Sequence, residues 1–301
     1  MTRSTEFHEG ELAVQRRAGV RAEAARLSGM LAPPNLSGGA HIFLGERDLA
    51  LLTGRDRGGR LWISPILGTP GFLDGRDTTL RVHSRPSAGD PLHDLPIGQP
   101  VGMLAIDFGT RRRMRVNGTL TAAGSDGLEM AVDQAYGNCP QYIQQRHLRR
   151  DGIAAAQFHA ADFGDAEQTR MIEQSDTFFL GTVHPERGAD ASHRGGTPGF
   201  VRVDGTSLWW PDYPGNNMFN SLGNIAIDDT TALLFLDFAT GGTLHLSGTA
   251  AVEWTAPGAR GDDGGTGRRT RFTPQHVVAG AALPFRAADL IPYRRNPHLT
   301  D

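Results

Sequence analysis

At 301 residues, with 30 basic and 33 acidic side chains, the chain carries a net charge of −3. A balance this close to neutral argues against nucleic acid or an anionic membrane surface as the main partner. Every basic residue is arginine, which excludes Schiff-base and phosphate-loop lysines and leaves guanidinium, amide and backbone N–H groups to hold anions.

Residues 1–40 read as an N-terminal helical segment. Over 7–31, Leu12, Val20, Ala24, Leu27 and Met30 make a ragged apolar stripe that Pro33-Pro34 ends. Residues 41–136 read as a β unit with strands HIFLGERDLALLTG, RLWISPIL, TLRVHS, VGMLAIDF, MRVNGTLTA and LEMAVDQ, parted by turns such as Arg57-Gly58-Gly59. Residues 137–172 read as a helical connection, with a bend at Pro140, a short helix toward Arg150 and a second helix over 165–174. Residues 173–301 form a further β unit: DTFFLGTVH, PGFVRVDG, SLWWPDY, ALLFLDFAT and TLHLSGTAAVEW, a Gly-rich loop over 256–269 and a closing strand over 270–286. Within it, NNMFNSLGNI (216–225) predicts a helix opened by an Asn216 or Asn217 cap.

The two β units repeat. DLALLTGRDRGGRLWISPILGTPGF (48–72) aligns without a gap on DTFFLGTVHPERGADASHRGGTPGF (176–200), so that Asp48 meets Asp176, Ser64 meets Ser192 and GTPGF meets GTPGF. Ile106-Asp107-Phe108, Thr110 and Gly118-Thr119 fall on Leu236-Asp237-Phe238, Thr240 and Gly248-Thr249. The repeat is too long for a solenoid and describes two copies of one domain-sized unit. The fold class is mainly β: two small barrels, or one double barrel, with a few helices.

The densest polar cluster lies in the second copy: Ser192-His193-Arg194-Gly195-Gly196, then Asn216, Asn217 and Asn220. A strand-end arginine and hydroxyl facing a helix N-terminus suit a phosphate, and the glycines permit close approach. The same residues also read as a Gly-rich turn, a capped helix and a surface arginine. In the first copy the counterparts are Ser64-Pro65-Ile66-Leu67-Gly68 and AGDPLHDL (88–95), so the second copy is the ligand-bearing one. GNCPQYIQ (137–144) either brings Gln141 and Tyr142 to the ligand or packs between the barrels with Tyr142 and Ile143 as core. Arg81 and Arg85 read as solvated strand-end residues or as first-copy arginines reaching the ligand, and Arg111-Arg112-Arg113 as solvated or as a docking patch for an acidic partner. Cys139 reads as a small buried residue, and no histidine spacing indicates a metal site.

The run DTFFLGTVHPERGADASHRGGTPGFVRVDG…PDYPGNNMFNSLGNI…LLFLDFATGGTLHLSGTA resembles the pyridoxamine 5′-phosphate oxidase-like FMN-binding split-barrel superfamily. It is nearest to a two-copy branch also found fused to ferredoxin-reductase modules, and FHEGELAVQRRAGV, ILGTPGF, DFGTRRRMRVNG and DQAYGNCPQYIQQR extend the likeness over 6–286. The resemblance implies a tandem split barrel with FMN held between the units. It places Ser192, His193, Arg194, Asn216, Asn217 and Asn220 at the phosphate, with Phe219 in the same run, and Pro198, Gly199 and Phe200 near the ring or ribityl chain. The oxidases proper use lysine here, and this chain has none.

The expectation is therefore an FMN-dependent oxidoreductase acting on a small-molecule substrate, with an electron-donating reductase as partner in trans. The alternatives are a non-catalytic flavin carrier, relay or sensor, and a haem-binding split barrel with His193 or His245 as axial ligand. The single cysteine fits a reducing cytosol, and the absence of an apolar run of spanning length or a signal-peptide core fits a cytoplasmic protein without a membrane partner. Two copies in one chain can build the paired site alone. Symmetric association into a homodimer is still expected.

Overall fold

The computed structural model describes residues 6–151 and 156–300. The expected N-terminal helix is broken into α1 (Glu9–Ala18), α2 (Arg21–Ala25) and a 3-10 turn (Ser28–Leu31). Gly19, in the left-handed region at φ 73°, stops α1. His8 starts it: its Nδ1 accepts the Gly10 N–H at 3.2 Å, while its own N–H goes to Glu11 Oε2 at 2.8 Å.

HIFLG, expected as strand, is instead the end of α3 (Gly39–Gly45), whose Phe43 and Leu44 are buried against the first barrel. The first barrel comprises β1 (Leu49–Arg55), β2 (Leu61–Leu67), β3 (Leu73–Arg76), β4 (Thr79–Val82), β5 (Pro100–Asp107), β6 (Arg112–Gly124) and β7 (Gly127–Asn138). The connection holds β8 (Gln145–Arg150), β9 (Gln157–Ala161) and α4 (Ala166–Gln174), the last capped by the Asp165 carboxylate. The second barrel comprises β10 (Thr177–His184), β11 (Gly188–Gly195), β12 (Arg202–Asp204), β13 (Ser207–Pro211), α5 (Asn220–Ile227), β14 (Thr230–Leu236), β15 (Gly242–Trp254) and β16 (Arg268–Ala281), with β17 (Phe285–Ile291) after it. The expected helix toward Arg150 is a strand, because β8 pairs with β17 in a two-stranded ribbon and tertiary pairing overrides local propensity.

The duplication is visible in topology. One sheet runs β2-β1-β5-β6-β7-β4-β3 and the other β11-β10-β14-β15-β16-β13-β12, the same antiparallel order in both copies. Register agrees as well: Leu52 faces Ser64, and Leu180 faces Ser192. Both long hairpins carry a bulge at the aligned glycines Gly118 and Gly248. A Cβ on either would lie about 2 Å from a carbonyl oxygen, that of Ala131 or of Thr273.

Three large apolar cores result, beside a small cluster of Leu31, Tyr136 and Met218. Ala50, Leu52, Met103 and Val116 help fill the first barrel, and Phe178, Leu180, Phe235 and Leu246 the second. Between the barrels, Leu49, Leu51, Ile63, Leu104 and Phe108 meet Phe179, Ala191, Leu234 and Phe238. The alternation along β1 and β10 thus serves two cores, one on each face, and the strands read as continuous apolar runs. Each large side chain in the shared layer contributes roughly 1.5–3 kcal/mol. Aligned positions touch across it: a Cβ on Gly181 would come within 2.8 Å of the Thr53 side chain. The barrels are therefore joined about a pseudo-two-fold axis, the internal equivalent of an isologous dimer.

Candidate functional site

A polar cavity of about 120 Å³ lies at the junction of the two barrels. The end of β11 supplies His193, Arg194 and Gly195, the chain before and into α5 supplies Asn216, Asn217, Phe219, Asn220, Ser221 and Leu222, and β6 of the first barrel supplies Arg113 and Arg115. The end of β7 adds Asn138, the connection adds Cys139, Gln141 and Tyr142, and Phe200, Trp210 and Tyr213 give aromatic walls.

Of the residues singled out from sequence, His193, Arg194, Phe200, Asn216, Asn217, Phe219, Asn220, Gln141 and Tyr142 line this cavity, and Ser192, Pro198 and Gly199 do not. Ser192 is buried behind it, where its hydroxyl accepts from Ser221 Oγ at 3.1 Å. The glycines also relieve contacts within the fold. Gly195 lets the connection cross β11, since a Cβ there would lie 2.1 Å from the Tyr142 carbonyl oxygen, and Gly196 makes room for the Phe200 ring at 2.6 Å. The helix begins at Asn220, after Phe219, so neither Asn216 nor Asn217 caps it, and Asn216 Oδ1 instead accepts the Met218 N–H at 3.2 Å. Tyr142, Asn217 and Phe219 all take left-handed backbone (φ 59–62°), a cluster of strained residues around one cavity. Ile143 is core, in line with one of the two sequence readings, while its neighbour Tyr142 faces the cavity and donates its hydroxyl to the Pro214 carbonyl at 2.8 Å.

Arg113 and Arg115 escape the sequence reading, which takes the triple-arginine run at the hairpin as solvated or as a docking patch. Arg111 in fact ties the chain together, donating to the Ile143 and Ile291 carbonyls. Arg113 enters the cavity. The available signal is a period of two: Arg113, Arg115 and Asn117 share a strand face where the second copy has Thr243, His245 and Ser247. Arg81 and Arg85 lie elsewhere, on Glu129 and on His93.

The electrostatics are uneven. Arg115 Nη1 lies 3.1 Å from Asp190 Oδ2 and donates to Asn220 Oδ1 at 3.1 Å. Burial opposes its charge, but Asp190, Tyr136 and Glu11 together raise its pKa above the usual value. Arg194 is 3.6 Å from Asp212, which already pairs with Arg268 at 3.0 Å. Burial, only partly countered by Asp212, lowers the Arg194 pKa. Among the described residues Arg113 has no carboxylate partner, and burial followed by repulsion from Arg115 and Arg194 brings its pKa down to about 9. Its Nη1 donates to His193 Nδ1 at 2.8 Å, which fixes the proton of the neutral imidazole on Nε2. Burial first, then the nearby arginines, hold His193 well below the usual imidazole range, so it is a neutral donor. Four buried nitrogens of these lining residues have no hydrogen-bond partner among the described residues: Nε of Arg113, Arg115 and Arg194, and Nε2 of His193. A cavity with surplus guanidinium charge and idle donors is fitted to an anion.

Two other histidine groupings are closed. His8, Glu9 and His184 come together as no sequence spacing suggested. His8 Nδ1 accepts from Gly10, and His184 Nδ1 accepts from Glu186 and Arg187, so both rings carry their proton on Nε2 and are hydrogen-bond donors there. His245 is fully buried with Nδ1 on the Ile63 carbonyl, and it presents no open face to an axial position.

Residues 165–261 match the family model described as pyridoxamine 5′-phosphate oxidase. No curated protein matches the chain. Among solved structures, HupZ of Group A Streptococcus is 10% identical over 38% of this chain and 92% of its own, at a TM-score of 0.32. A Clostridium acetobutylicum protein related to general stress protein 26, of the pyridoxinephosphate oxidase family, is 16% identical over 41% and 92%, at 0.30. A FAD-binding protein from Mesorhizobium loti is 8% identical over 42% and 99%, at 0.31. At these TM-scores the likenesses carry no argument. No helix among the described residues is long and apolar enough to cross a membrane.

Proposed function

We propose that this chain, a pyridoxamine 5′-phosphate oxidase-like split-barrel protein, is a flavoprotein that holds FMN in the cavity between its barrels and serves as an oxidoreductase for a small molecule. The observation that carries the reading is Arg113, a partly buried guanidinium with no carboxylate partner among the described residues, set beside two further arginines and a neutral histidine donor. Leaving such a charge uncompensated is costly, and a phosphate dianion removes the cost. Arg113, Arg115 and Arg194 would hold the phosphate, helped by His193 Nε2–H and the first N–H groups of α5. Asparagine amides and arginine do here what lysine does in the oxidases proper.

When bound, a flavin supplies hydride and single-electron transfer. The chain's own residues bind, orient and shield. Tyr142 is pushed up to about 12 by burial, and Tyr213 is raised further by the same cause. With His193 held neutral, none of these three lining groups exchanges a proton near neutrality. The protein contributes positioning, and the redox chemistry belongs to the cofactor.

The absorbance spectrum of the purified protein tests this. Flavin bands are expected, and Arg194→Ala should strip them while leaving the fold intact, because Asp212 keeps Arg268. Unchanged flavin content in that variant contradicts the placement. Bleaching by NADH or NADPH, followed by reoxidation in air, marks an enzyme; a spectrum that no reductant of this kind changes marks a passive binder or a protein served by a separate reductase.

A further inference from the structure

The pseudo-two-fold axis creates a second position equivalent to the cavity, built from the first barrel's β2 and 88–95 segment and the second barrel's β15 and β16. We infer that this twin is a sealed site, that the ring of Phe158 is its plug, and that the chain therefore takes one flavin rather than two. The inference rests on the flavin reading for the stoichiometry but not for the plug.

Phe158, on β9, touches the counterparts of three residues that line the open cavity. Its ring lies 3.2 Å from where a Cβ on Gly89 would sit and 2.6 Å from one on Gly280, and its centroid is 5.8 Å from that of His245. By alignment and matching register these stand where Asn217, Asn138 and Arg115 stand in the second-barrel site. Gly280 is needed there, because a Cβ would also strike the Gln157 carbonyl at 2.5 Å. β9 reaches this place by pairing with β16, from Val277 opposite Ala161 to Ala281 opposite Gln157. In the first copy no described strand pairs with the corresponding side of β7 over Tyr136–Asn138 other than β6.

The chemistry of the twin has changed too. Arg113 is replaced by Thr243, Arg115 by His245, and His193-Arg194 by Pro65-Ile66. The segment matching the amide-rich run before α5 is a turn held by Asp90 and by Ser64 of β2. Ser64 Oγ donates to Asp90 Oδ1 at 2.6 Å, the Leu92 N–H reaches the same oxygen at 2.8 Å, and Asp90 Oδ2 is 3.9 Å from His245 Nε2. Asp90 and His245 are both buried. A carboxylate therefore stands where an incoming phosphate would need cations. At the open site the first barrel still supplies Arg113 and Arg115.

The test is flavin stoichiometry on FMN-saturated protein, for the native chain and Phe158→Ala, with melting temperature measured alongside. One FMN per chain is expected for both, at unchanged affinity, together with a fall in melting temperature of roughly 3–6 °C in Phe158→Ala, because a packed ring is lost. Phe158→Leu serves in its place if the alanine variant does not fold, with the same stoichiometry and a smaller fall. Two FMN per chain in the native protein overturns the inference, whereas a second one gained only by the variant sustains the plug. If the native chain takes up no FMN, the flavin reading fails instead, and melting then decides the plug alone: an unchanged melting temperature contradicts it and a fall sustains it.

Discussion

Arg113→Met separates affinity from stability. Methionine keeps the length and apolar stem of the side chain and removes its charge. In the ligand-free protein the Arg113 pKa sits at about 9, well below the ordinary arginine value. At neutral pH that depression corresponds to roughly 5 kcal/mol of cost to the folded state, at 1.36 kcal/mol per pH unit. Relaxation and water entry reduce this by about half. The variant also takes away the donor to His193 at 2.8 Å, worth about 1 kcal/mol. A net gain of roughly 1–2 kcal/mol remains, or a rise in melting temperature of about 2–6 °C. Binding moves the other way: losing one charge-assisted contact of about 1.5–3 kcal/mol weakens FMN by about 10- to 150-fold. Thermal melting without ligand and fluorescence titration with FMN read the two effects separately. A variant that melts lower and binds FMN as before would refute the reasoning, since Arg113 would then be an ordinary structural arginine.

Glu11 should make stability depend on pH. Burial, opposed by the His8 N–H, raises its pKa from 4.5 to about 7. A carboxyl raised on folding contributes stability below its unfolded pKa and loses it as pH climbs through the folded one, so the native chain should weaken between about pH 4.5 and 7. Glu11→Gln should match the native chain at pH 4 and exceed it at pH 8 by up to about 3 kcal/mol in urea unfolding; parallel profiles would count against the assignment. Gly248→Ala and Gly118→Ala should each cost more than about 2 kcal/mol, because the new Cβ collides with a neighbouring strand's carbonyl oxygen. An unchanged melting temperature in either would show the bulge to be misplaced.

The duplication is the most legible feature of the sequence, because it survives as identical words: GTPGF makes the same turn twice, with the Phe72 and Phe200 N–H groups donating to the Thr69 and Thr197 carbonyls at 2.9 and 3.0 Å. The Asp107–Thr110 and Asp237–Thr240 turns likewise close with hydroxyl bonds of 2.6 and 2.7 Å. The second copy's share of the cavity is legible for a similar reason, since polar residues stand where the first copy has Pro65 and Ile66. The first copy's share is not. Arg113 is remote in sequence from Arg194, and only the apposition of β6 and β11 brings them to one cavity. The strand Gln145–Arg150 is hidden because its pairing partner lies far down the chain. Pro198 and Gly199 shape a turn that aims Phe200, and turn chemistry in sequence does not say which side chain faces a ligand.

The claim on which the rest depends is that arginines grip a phosphate between the barrels. Titrating the flavin-free protein with FMN and with riboflavin, which differ only in that phosphate, tests it most directly. FMN should bind about 100-fold or more tighter, as expected for two charge-assisted contacts of about 1.5 kcal/mol each, and the gap should shrink in Arg113→Met. Equal affinity for the two would contradict the account.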